Sequence, residues 1–149
     1  MLAVLLEQKQ RGETFARWPL HITLVSWFQL QKPLPQLVDA VQQAAMTHQV
    51  FHVVVGPAKQ WRHHQVHLIE SKTLESLHQS LLGIVKRHAQ FMNQPMAVGP
   101  DFTPHITQKP YAKVQSGFRL PVKQIYIIEA PIINPINRFK KVVGVAELN

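Results

Sequence analysis

Trp18-Pro19-Leu20-His21-Ile22-Thr23 and Phe102-Thr103-Pro104-His105-Ile106-Thr107 are two versions of one short pattern, a proline followed closely by a His-Ile-Thr triplet. One copy lies in each half of the chain. From this composition a His-x-Thr triplet is expected by chance roughly 0.4 times, so a single copy would carry little weight. Two copies with the same middle residue and a proline before each carry much more. In a β-strand, residues i and i+2 point to the same face. Each triplet on a strand therefore presents an imidazole and a hydroxyl side by side and turns its isoleucine into the core. Two such strands facing each other would assemble His21, Thr23, His105 and Thr107 into one site, an acid–base pair with two hydrogen-bond donors suited to a phosphate.

The rest of the chain supplies a scaffold for such a site. Its 149 residues suffice for one domain with a real core, and 46% of them are hydrophobic. There are no cysteines, which excludes disulfides, thiolate catalysis and cysteine–zinc sites and points to a cytoplasmic setting. Met1–Leu6 is apolar but short, with no basic stretch before it, and reads as a buried strand, not a signal peptide. No apolar run approaches the ~20 residues of a membrane span. The formal charge of +8 favours anionic ligands, RNA and nucleotides among them, although many basic proteins merely carry a solvated basic surface.

Periodicity gives the order of elements. Leu2–Leu6 reads as a strand, Gln8–Thr14 as a loop, and Leu20–Phe28 as a strand carrying the first triplet. Gln36–His48 follows as an amphipathic helix, with Leu37, Val41, Ala44 and His48 at helical spacing. Val50–Val55 and Gln65–Glu70 read as strands joined through Trp61–His64. Thr73–Gln90 is the clearest helix, with Leu74, Leu77, Leu81, Ile84 and His88 as its stripe and Thr73 as its cap. A turn at Gly99–Asp101 leads to the second triplet strand, Phe102–Gln108. Leu120–Glu129 and Phe139–Glu147 close the chain around a proline-rich connection, Pro131–Pro135. Each half thus holds one helix and one triplet strand, in a single two-lobed domain spanning residues 1–149.

Two His-x-Thr motifs on strands, in this element order, resemble the 2H phosphoesterase superfamily, whose members include 2′-5′ RNA ligase-like proteins and cyclic nucleotide phosphodiesterases. The second copy is the closer match. Phe51–Glu70 is similar to the family's central strand pair and Leu74–His88 to its second helix. The resemblance implies an α+β fold with two antiparallel sheets facing a central cleft, helices outside and pseudo-two-fold symmetry. It also implies hydrolysis or transfer at a phosphodiester, such as a 2′,3′-cyclic phosphate or a 2′-5′ linkage, with no metal or other cofactor. Where many relatives carry an aliphatic residue, a small residue and arginine after the second motif, this chain has Gln108-Lys109-Pro110.

The chemistry agrees with the residues. Opening a phosphodiester takes a base for the nucleophile and an acid for the leaving oxygen, and histidine, with an ordinary pKa of ~6.5, suits both. His105 is the expected base on water and His21 the acid, an order that the pseudo-symmetry would equally let run in reverse. Thr23 and Thr107 are expected to donate to the non-bridging oxygens. Trp61 and Trp27 are candidates to stack a base or to wall the cleft. His63, His64 and His67 cluster in sequence, but without zinc spacing they read as a polar turn and no metal site is expected. His48 and His88 read as packing residues. The expected substrate is RNA or a nucleotide, taken by a monomer away from membranes. The rival is a basic RNA- or nucleotide-binding module that grips a phosphate in the same cleft without turnover, and a structural domain with accidental motifs is the third reading.

Overall fold

Leu2-Ala3-Val4-Leu5 has no polar side chain on either face, and all four residues are buried; such a run is stable as a strand only in the middle of a sheet covered on both sides. The computed structural model, which describes residues 1–91, 101–130 and 139–149, places it there. The strands are β1 (Leu2–Leu5), β2 (Thr14–Phe15), β3 (His21–Val25), β4 (Phe28–Leu30), β5 (Phe51–Val54), β6 (Ala58–Trp61), β7 (His64–Leu68), β8 (Ala89–Phe91), β9 (His105–Thr107), β10 (Arg119–Val122), β11 (Gln124–Glu129) and β12 (Lys140–Glu147). The described residues also form two helices, α1 (Leu34–Met46) between β4 and β5 and α2 (Lys72–His88) between β7 and β8.

The α+β class expected from the sequence is the class observed. The main sheet has eight strands in the order β2-β12-β11-β1-β3-β9-β7-β6, every pairing antiparallel. The sheets expected on either side of a cleft are two halves of this ladder, joined edge to edge where β3 meets β9. Ile22 and Ile106 are the registered pair at that seam, and both are completely buried. Two-stranded ribbons, β10-β5 and β4-β8, lie outside the main sheet.

Alternation assigns the two faces. Leu2, Val4, Ile22, Leu24, Ile106, Ile125 and Ile127 belong to the large core, together with Leu37 and Val41 of α1 and Leu74, Leu77 and Leu81 of α2. Both helices therefore cover this face. At Gly144 of β12 an added Cβ would crowd Ile127 Cδ1 at 2.9 Å and Val38 Cγ2 at 3.1 Å, so the glycine lets α1 sit close on the sheet. On the opposite face Met1, Ala3, Leu5, Phe15, Tyr126, Ile128 and Val142 form a smaller apolar cluster. The four motif side chains share that second face.

Local details depart from the sequence reading. The cap of α2 is Ser71, whose hydroxyl accepts from the Leu74 amide at 3.1 Å, not Thr73. The expected strand Leu20–Phe28 stops at Val25, and Phe28–Leu30 leaves to pair with β8. The expected strand Leu120–Glu129 divides at Lys123 into β10 and β11, which belong to different sheets. The joining segment before His64 is itself a strand, β6, which forms a hairpin with β7. Pro131–Pro135, and Gly99 and Pro100 of the expected turn, lie outside the described residues.

Candidate active site

Because Ile22 pairs with Ile106 in antiparallel register, their neighbours fall across from one another, His21 from Thr107 and Thr23 from His105. With both isoleucines turned into the core, all four flanking side chains emerge on the other face. The sequence thus brings its four candidate residues together, on adjacent strands of one ladder. The two histidines stand on one diagonal of this rectangle and the two threonines on the other, an arrangement close to two-fold symmetric. Diagonal neighbours on adjacent strands lie roughly 7–8 Å apart, enough for one phosphate to sit between the imidazoles.

Both imidazoles are anchored in the same way. His21 Nδ1 lies 2.9 Å from the Pro19 carbonyl, and His105 Nδ1 lies 2.9 Å from the Thr103 carbonyl. A carbonyl only accepts, so Nδ1 carries the hydrogen in each ring and Nε2 is the nitrogen left to act as acceptor. The motif prolines follow from this: each fixes the approach of the chain while a carbonyl two residues before the histidine turns back to it.

The surroundings of the two rings differ. Burial holds the His21 imidazole below its ordinary pKa, its bond to the Pro19 carbonyl acts the other way, and the charges of Lys109 and His105 lower it further. Trp18 lies against His21 with ring centroids 4.7 Å apart, and Trp27 packs on Trp18 at 6.0 Å. Trp61 meets His105 edge-on at 4.7 Å. Of the two tryptophans singled out in the sequence, Trp61 touches a motif histidine directly, whereas Trp27 extends the aromatic wall through Trp18. Trp18 itself was not singled out, although it stands just before Pro19 in the first motif.

The histidine run after Trp61 does not act as a unit. His64 pairs with Trp61 across the hairpin, whereas His67 is opposite Ile106 and faces the other side of the sheet. There His67 Nδ1 donates to the Gly56 carbonyl at 2.8 Å, and its Nε2 lies 2.7 Å from the Gln108 amide nitrogen. Among the described residues no three metal-ligating side chains cluster. The expected packing roles of His48 and His88 take the form of bonds to Ser80 Oγ at 3.3 Å and to the Ile84 carbonyl at 2.8 Å.

Another histidine ties the motifs to the helical layer. His78 of α2 is wholly buried, donates from Nδ1 to the Leu24 carbonyl at 2.7 Å, and stacks on Phe102 with centroids 3.9 Å apart. Leu24 follows the first triplet and Phe102 precedes the second, so one side chain touches both motif segments. In the sequence it is hidden inside the apolar stripe of α2.

Comparison with known proteins bears on the family and the fold. The chain matches the 2′-5′ RNA ligase superfamily over residues 5–116. Comparison with curated protein sequences gives no match. Among solved structures, TT0787 of Thermus thermophilus superposes with a TM-score of 0.61 at 18% identity, over 87% of this chain and 78% of that one. Escherichia coli LigT complexed with 3′-AMP superposes with a TM-score of 0.54 at 18% identity, over 87% and 77% of the two chains. At such identity these two likenesses speak for the fold alone. The family match takes in both His-x-Thr strands and most of the elements around them, and on that ground the chain belongs to the 2′-5′ RNA ligase superfamily.

Proposed function

We propose that this protein is a phosphodiesterase acting on RNA ends or small nucleotides, by opening a 2′,3′-cyclic phosphate or by hydrolysing or forming a 2′-5′ linkage. The observation that carries this reading is the matched pair of histidines, each tied through Nδ1 to a carbonyl and each across from a threonine on one face of the sheet. A site that only held phosphate would not need two imidazoles prepared alike. Membership of the superfamily supports the same class of substrate, and the bound 3′-AMP of LigT shows that a protein of this fold takes a nucleotide.

In hydrolysis, neutral His21 takes a proton from water through Nε2 as the water oxygen bonds to phosphorus. His105, protonated, gives its Nε2 proton to the ribose oxygen as the bond from that oxygen to phosphorus breaks. The order is the reverse of the one expected from the sequence, because burial and Lys109 both favour the neutral form of His21. Thr23 and Thr107 donate to the non-bridging oxygens, where charge grows in the transition state. Ligation uses the same two proton transfers with a ribose hydroxyl in place of water: that hydroxyl gives its proton to the base and bonds to the phosphorus of a 2′,3′-cyclic phosphate, while the ring oxygen that leaves takes a proton from the acid. Trp61, and the wall of Trp18 and Trp27, offer aromatic surface to the bases on either side.

The test is turnover of 2′,3′-cyclic nucleotides and a 2′-5′-linked dinucleotide, with EDTA present, by wild type, His21→Ala and His105→Ala. Turnover by wild type and its loss in both variants is the expected result. Near-normal turnover in either variant would overturn the two-histidine mechanism. Tight RNA or nucleotide binding with no turnover of any substrate would move the protein to the binding-module reading.

A further inference from the structure

The turn that follows the second motif reaches across to the first. After β9 the Lys109 amide donates to the Ala112 carbonyl at 3.1 Å, closing a tight turn over Pro110 and Tyr111. From that turn the Tyr111 hydroxyl donates to the Trp18 carbonyl at 2.7 Å, and the Arg17 guanidinium lies over the Tyr111 ring at 5.3 Å. Trp18 is the residue packed on His21. A segment anchored on one motif strand is therefore fastened to the residues that lead into the other.

Lys109 stands at the root of this turn. Strand alternation from His105 and Thr107 directs it to the cleft face, and it is half-buried. Its ammonium is close enough to His21 to oppose protonation of that ring, and burial lowers its own pKa. Among the described residues no carboxylate forms a salt bridge with it: both salt bridges there belong to Lys9. A half-buried cation without an acidic partner, beside two imidazoles and two hydroxyls, is placed to receive an anion.

We propose that the Lys109–Ala112 turn is the anion-binding arm of the cleft, with Lys109 contacting a phosphate oxygen of the substrate and Tyr111 acting as a positioning residue by latching the turn to Trp18. The inference rests on the cleft being a phosphate site, as proposed above. It assigns the cation of that site to Lys109. It also gives the exposed Tyr111 a task, since this residue is 46% exposed and adds little to the core.

The experiment reads His21 and phosphate binding without requiring turnover. The imidazole signals of His21 are followed by NMR against pH, and the Kd for inorganic phosphate is measured, in wild type, Lys109→Met, Lys109→Arg and Tyr111→Phe. The groups facing His21 from other elements are His105 of β9 and Lys109, with Lys140 of β12 over the Trp18 ring at 5.7 Å and Arg17 beside it. Lys140 and Arg17 are left intact in every variant. Lys109→Met should raise the titration midpoint of His21 and weaken phosphate binding about tenfold or more. Lys109→Arg should keep most of both properties. Tyr111→Phe should move both in the same direction as Lys109→Met, by a smaller amount, with its thermal unfolding unchanged. If Lys109→Met moves neither property, the arm is overturned; if only Tyr111→Phe is silent, the latch is overturned. Phosphate binding by a wild type that turns over no phosphodiester would refute the proposed function while leaving this inference standing. A wild type that binds no phosphate would overturn the inference.

Discussion

Ile22 and Ile106 face each other across the seam between β3 and β9, both with no exposed surface, and their pairing puts all four motif side chains on the opposite face. The core contact and the site are thus two sides of the same two strands. Ile106→Ala should destabilise the protein by about 2–5 kcal/mol, the range for emptying a buried aliphatic site. It should also lower kcat at temperatures where the variant is still fully folded, because the strands that carry His21 and His105 lose their common support. Urea denaturation and turnover on a 2′,3′-cyclic nucleotide check both parts. A variant that is destabilised but fully active when folded would separate core from site.

Gly56 makes a different demand. Its amide donates to the Leu68 carbonyl at 2.9 Å, its own carbonyl accepts from His67 Nδ1, and an added Cβ would run into the Leu68 carbonyl oxygen. Backbone lies on the other side of that clash, so relief requires β7 to move. Gly56→Ala should therefore cost about 1–3 kcal/mol and disturb the bond between His67 and Gln108, next in sequence to Thr107. Urea midpoints measure the first effect and the NMR shifts of the His67 ring the second. A variant of wild-type stability would show that β7 yields freely there.

Trp61 separates substrate recognition from chemistry. Its ring touches His105 edge-on and sits on the hairpin between β6 and β7, where Arg62 closes the turn at a φ of 55°. If a base stacks on Trp61, Trp61→Leu should raise KM for a cyclic nucleotide by about 5–100-fold, the range for one stacked base. Its kcat should change much less. A fall in kcat at constant KM would instead make Trp61 a support for the His105 ring.

The reach of the sequence is visible in these residues. The motif pair was legible because strand alternation needs only nearest neighbours: His21 and Thr23 share a face wherever that strand lies. Both helices were legible from their apolar stripes. Register is a long-range property, however, and nothing local says that Ile22 pairs with Ile106 or that Leu120–Glu129 serves two sheets. Ala58–Trp61 escaped notice as a strand because three of its four residues are exposed, so it lacks an apolar rhythm. Thr73 looked like a cap on local grounds, but Ser71 lies one turn ahead of the amide it bonds. The contacts of Tyr111 and His78 were illegible because they run to residues far away in the chain, Trp18 and Leu24.

His21 and His78 both contribute to the acid sensitivity of the fold. Burial lowers the pKa of His21 and of His78 in the folded protein, and bonds to the carbonyls of Pro19 and Leu24 compensate only in part. Both rings regain the ordinary value of ~6.5 on unfolding, so below that pH the unfolded chain binds protons that the folded one refuses. Their contribution to stability is complete above the unfolded value. It falls as pH drops through that value toward the lowered folded ones, where the loss levels off. The urea midpoint should therefore decline between about pH 7 and pH 5.5, a window still above most carboxylate titrations. His78→Gln keeps a donor for the Leu24 carbonyl but does not titrate, so its midpoint should be less steep in pH although its stability at pH 8 is lower. The slope that remains should be reduced again by His21→Asn. A wild-type midpoint that is flat across this window, or an equal slope in the double variant, would place the acid sensitivity elsewhere.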